Sequence, residues 1–80
     1  MNEIETLAAD LAERIKRRYP EVETRISLET MEGEDAYVWI AAPRNRIDEI
    51  RTAAASMVGK LWEAGYDIVP RMEVLDHQEA

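Results

Sequence analysis

The chain has no cysteine and a single histidine, His77, in 80 residues. Without cysteine there are no disulfides and no thiolate-bound metals. No apolar run approaches the roughly 20 residues needed to span a bilayer, and no hydrophobic signal segment follows the N-terminus. A membrane partner is therefore excluded, and a cytoplasmic location is the expectation. His77 lies beside Asp76 in a stretch, residues 76–80, that reads as a disordered tail. It is poorly placed to act as a catalytic base, which must be held rigidly beside a nucleophile. Ser27 and Ser56 are the only serines, and no histidine accompanies them in the structured part. The expectation is a non-enzymatic protein with no cofactor.

Charge separates the remaining classes. Seventeen acidic residues against ten basic ones leave a net charge of −7, the opposite of a generic nucleic-acid binder. The acidic run Glu32-Gly33-Glu34-Asp35 lacks the spaced oxygen ligands of a calcium loop and reads as a solvated turn, with no metal site expected.

Periodicity supplies the fold. Ile4, Leu7, Ala8, Leu11, Ala12 and Ile15 share one helical stripe within residues 2–18, and Asn2 with Glu5 forms a capping start. Pro20 ends that helix. Residues 22–30 and 36–42 alternate as strands, with Gly33 marking the hairpin between them. A second helix is expected over residues 46–64, with Asn45 as its N-cap and Gly65 just beyond its end. A third strand follows over residues 66–75, where Pro70 implies an edge or a bulge. The order α-β-β-α-β predicts one α+β domain over residues 1–75. It is a two-layer sandwich with two helices on one face of a three-stranded sheet, joined by a right-handed crossover.

The hairpin loop decides where the aromatics of Tyr37-Val38-Trp39-Ile40 point. A loop of Met31, Glu32 and Gly33 puts glycine at the left-handed position such loops favour, and it sets Ile26 opposite Val38. Ser27 then faces Tyr37 and Arg25 faces Trp39. A two-residue Glu32-Gly33 loop would shift the register by one and turn Trp39 into the core. The longer loop is preferred, because it gathers the branched aliphatics on one side and Glu-Gly is a poor two-residue turn.

With that register the uncovered sheet face displays Arg25, Ser27, Tyr37, Trp39, Val69 and Arg71. Such a face suits a protein partner or a second copy of the chain. It also fits a self-contained pair in which Arg25 lies over the Trp39 ring, or a face covered by the C-terminal tail. The topology further gathers Arg14, Lys16, Arg17, Arg18, Arg44, Arg46 and Arg51 toward one pole, and acidic residues toward the other. A basic pole could take nucleic acid or a phosphate ligand, although helix-end charges of this kind also complement the macrodipole. The αββαβ order resembles the layout of some KH-like domains, but the glycines lack the Gly-x-x-Gly spacing of the KH clamp. Protein interaction through the aromatic face ranks first, nucleic-acid or phosphate binding second, and acidic mimicry of nucleic acid third.

Overall fold

The computed structural model describes residues 2–75; the expected tail and His77 lie outside them. Helix α1 spans Glu3–Arg18 and begins as anticipated, with Asn2 Oδ1 accepting the Glu5 N–H at 2.7 Å. It leads into β1 (Glu23–Ser27), β2 (Ala36–Ala42), a 3-10 turn (Arg44–Arg46), α2 (Ile47–Glu63) and β3 (Ile68–Val74). The sheet is mixed, in the order β1-β2-β3. Strand β2 is central, antiparallel to β1 and parallel to β3.

The sandwich is built on the alternation of β2. Ala36, Val38, Ile40 and Ala42 are all fully buried, and they form one core with Ala8, Leu11, Ala12 and Ile15 of α1 and Ile50, Ala54 and Val58 of α2. Both helices therefore cover the same sheet face. Burying a large aliphatic side chain of this kind contributes about 1.5–3 kcal/mol. Trp39 is outside that core, on the opposite face. The register settles this: Arg25 pairs with Trp39, Ile26 with Val38 and Ser27 with Tyr37, as the longer loop requires.

Three local details depart from expectation. The ladder between β1 and β2 stops at Ser27, so residues 28–35 form a wider loop. Ser27 Oγ donates to the Glu29 carbonyl and accepts its N–H, which bends the chain out of the strand. Thr30 still meets Glu34, but through its side chain, Oγ1 donating to the Glu34 carbonyl at 2.8 Å. Asn45 does not cap α2. The Arg46 N–H bonds to the Pro43 carbonyl at 2.9 Å, and the resulting 3-10 turn absorbs Asn45. Strand β3 begins at Ile68, because the N–H of Asp67 is taken by Asp35 Oδ2.

Gly33 (φ 86°) and Gly65 (φ 96°) occupy left-handed conformations, one in the hairpin and one just past α2. Pro70 sits on the edge strand. The Leu75 N–H bonds to the Ala42 carbonyl, so odd-numbered residues of β3 face β2 and Pro70 faces outward, where no N–H is needed.

Ile40→Ala should lower unfolding free energy by about 2–5 kcal/mol. Trp39→Ala should cost less, about 1–2 kcal/mol, since it lies off the core and loses only half-exposed ring contacts. Urea denaturation of both variants checks this; the reverse ranking would mean that Trp39 is core.

Candidate functional site

Odd-numbered residues of β2 point away from the helices, and the two registers extend each into a row across the sheet. Glu23, Ala41 and Glu73 make one row, Arg25, Trp39 and Arg71 the next, and Ser27, Tyr37 and Val69 the third. Trp39 is the centre of this patch. The Arg25 guanidinium carbon lies 4.9 Å from its ring centroid and that of Arg71 5.6 Å, with Arg71 also 5.1 Å from the Tyr37 ring. Tyr37 and Trp39 meet edge to face at 6.0 Å. Contacts of both kinds contribute about 0.5–1.5 kcal/mol each. The six residues expected from the sequence thus share one face. Glu23, Ala41 and Glu73 complete it; Glu23 follows from the alternation of strand β1, and Ala41 and Glu73 from the same strand parity, though none of the three is among the six expected site residues.

The two aromatics differ in access. Trp39 is half-buried, whereas Tyr37 is 3 % exposed although it is not part of the aliphatic core. Its cover is the hairpin loop. The Tyr37 hydroxyl accepts the Met31 N–H at 3.2 Å and donates to Glu34 Oε1 at 3.2 Å, and that oxygen also accepts the Glu32 N–H at 3.0 Å. Tyr37 is therefore a buttress, and the open aromatic of the face is Trp39. A shallow hollow lies beside it above the small Ala41 side chain, walled by Glu23, Arg25 and Glu73. Arg25 and Glu73 approach to 3.8 Å across that hollow, an exposed pair contributing at most about 1 kcal/mol. Two arginines and two glutamates leave the nine residues electrically balanced.

The Glu34 carboxyl is held below the usual glutamate range. The largest cause is its own backbone N–H; partial desolvation opposes it, and the Glu32 N–H, the Tyr37 hydroxyl and Arg71 reinforce it.

At the basic pole the side chains are mostly committed. Arg46 reaches Glu21 at 2.7 Å and grips Glu49 with Nε and Nη2 at 3.1 and 3.2 Å. The Glu49 carboxyl is lowered chiefly by that hydrogen bond, and the Arg46 guanidinium is raised by it. Arg18 and Arg46 each lie 5.5 Å from the centroid of the buried Tyr19 ring. Arg14 pairs with Asp10, Arg17 with Glu13 and Arg51 with Asp48, while Lys16 donates to the Val22 carbonyl at 2.6 Å. Arg44 lies in the 3-10 turn and is exposed. Arg18 and Arg46 converge on Tyr19, whereas Arg14, Arg17 and Arg51 are each held by an acid on their own helix.

No described helix is long and apolar enough to cross a membrane. Among the described residues no cluster of acidic or histidine side chains is placed to hold a metal ion. No family model, curated protein or solved structure matches this chain.

Because the folded-state value of Glu34 lies below the unfolded one, its stabilisation is complete above the unfolded value of about 4.3 and is lost as pH falls through the folded value. Glu34→Gln should be less stable than the parent at neutral pH and converge with it in acid. Urea denaturation across that pH range measures both limbs; parallel curves would show that the carboxylate contributes nothing.

Proposed function

We propose that this chain is a non-enzymatic protein-interaction module that docks a protein partner on its open sheet face, with Trp39 as the anchor. The observation that carries this reading is the position of Trp39. It stands at the middle of a charge-balanced face, half-open, and flanked edge to face by a tyrosine whose hydroxyl is itself tied down. Binding hot spots favour tryptophan flanked by arginine at the centre of a patch, and a ring already held in place loses little freedom on binding. Arg25 and Arg71 can turn their donors outward to a partner's carboxylates while their stems stay on the indole.

Nucleic-acid or phosphate binding at the basic pole is the second reading and has less support. Arg14, Arg17, Arg46 and Arg51 are already paired with acids of the same chain. A partner there would have to compete with those acids, and its binding would fall steeply with salt.

A photo-crosslinking residue at Ser27 tests the proposal, with Thr52 on α2 as a control position. The expected result is one defined adduct from Ser27 that Trp39→Ala abolishes while circular dichroism stays unchanged. Adducts that survive Trp39→Ala, or that form equally from Thr52, would remove the face as the docking site.

A further inference from the structure

The two edges of the sheet are not equivalent. On β3, Pro70 faces outward without an N–H, and the neighbouring Ile68 carbonyl accepts Trp62 Nε1 from α2 at 2.9 Å. That edge is blunted. The outer edge of β1 is different. The Ala42 carbonyl bonds toward β3, so the odd-numbered residues of β2 turn their backbone groups toward β1. Glu23, Arg25 and Ser27 are consequently the hydrogen-bonded partners of β2, and Thr24 and Ile26 direct their N–H and C=O groups outward. Beside them runs an open groove between β1 and α1, lined by the small side chains of Ala9 and Ala12 with Thr24 and Ile26, and by Glu13, Lys16 and Arg17.

We infer that this edge is a self-recognition site, at which β1 pairs antiparallel with β1 of a second copy across a two-fold axis through Thr24. Charge selects both the occupant and the register. A pairing centred on Arg25 would oppose Arg25 to its own copy, which is unfavourable. Centring on Thr24 instead sets Glu23 of each copy opposite Arg25 of the other, giving two complementary pairs on the open face. The Thr24 pair exchanges two backbone hydrogen bonds. Each Ile26 N–H reaches the partner's Val22 carbonyl, which among the described residues accepts Lys16 Nζ and has a second lone pair to offer.

Helix α1 carries the same message. Its acids, Glu3, Glu5, Asp10 and Glu13, all precede its bases, Arg14, Lys16, Arg17 and Arg18. A two-fold runs α1 antiparallel to its copy and turns its acidic start, Glu3 and Glu5, toward the other's basic end, while Asp10 and Glu13 stay paired with Arg14 and Arg17 of their own helix. A two-fold pairing consumes the β1 edge of both copies, and Pro70 and the Trp62 contact blunt the β3 edge, so the assembly closes at two chains and does not grow into a fibre.

This inference is independent of what docks on Trp39, yet it extends that face. A single face covers roughly 250 Å² in projection, against roughly 800 Å² per partner in a standard interface. Pairing through β1 produces a continuous six-stranded sheet with two Trp39 positions three strand spacings across and two residues along the strands, about 16 Å, apart.

The test is light scattering of the full chain up to millimolar concentration, with amide exchange read by NMR. The parent should reach the mass of two chains, with the Ile26 amide protected. Glu23→Arg alone and Arg25→Glu alone should each return it to one chain, and the combined swap should restore the dimer. Thr24→Pro should abolish it and expose the Ile26 amide, with circular dichroism unchanged. Trp39→Ala should leave the dimer intact. A parent that stays monomeric, or a swap that fails to restore pairing, overturns the inference and leaves the Trp39 docking site untouched. Dissociation by Trp39→Ala but not by Glu23→Arg also overturns it, and assigns self-association to the sheet face instead.

Discussion

Strand β2 has to satisfy two surroundings at once, and that constraint shapes the rest of the molecule. Its even-numbered side chains are fully buried beneath two helices, while its odd-numbered ones stand on the far side of the sheet. As the central strand it is hydrogen-bonded on both sides, so it cannot slip by one residue without exchanging Ile40 for Trp39 in the core. The aliphatic face supplies the stability. The other face is then free to carry large, polar-edged side chains that contribute little to the core.

Those side chains are not left loose. Arg71 packs against both rings, Arg25 against one, and the hairpin loop closes over Tyr37 through its hydroxyl. The loop and the face are thus one mechanical unit: the Met31 N–H, the Tyr37 phenol and the Trp39 indole are joined through successive contacts. Met31 itself is 74 % exposed at the outer end of that unit, with Leu28 at 44 %. A partner seated on Trp39 that also needs apolar area has these two side chains within the same hairpin.

Most of this architecture was legible from residue pattern, for identifiable reasons. Asn2, Gly33, Gly65 and Pro70 act locally, each through one backbone property, and each is where its chemistry required. The pairing of Arg25 with Trp39 was legible because the aliphatics Ile26, Val38 and Ile40 leave only one register that buries them together. The misses share a different character. Asn45 lost its cap to a 3-10 turn that begins at Pro43, and Tyr37 was hidden by a loop whose folding depends on Ser27 and Asp35. Both depend on hydrogen bonds that no periodicity encodes. The commitment of the basic pole to Glu21 and Glu49 is intermediate: those acids were visible in the sequence, but not the bidentate geometry with which Arg46 holds one of them.

The ordering of charge along α1, acids first and bases last, has a consequence for how copies of the chain sense one another at a distance. A net charge of −7 repels as a whole, whereas the complementary halves attract only at close range. The screening length falls from about 30 Å in 0.01 M salt to about 10 Å in 0.1 M. Added salt therefore suppresses the far repulsion before it weakens the near attraction. Any approach that uses these halves is strongest at intermediate ionic strength, a profile that sets it apart from phosphate binding, which only declines.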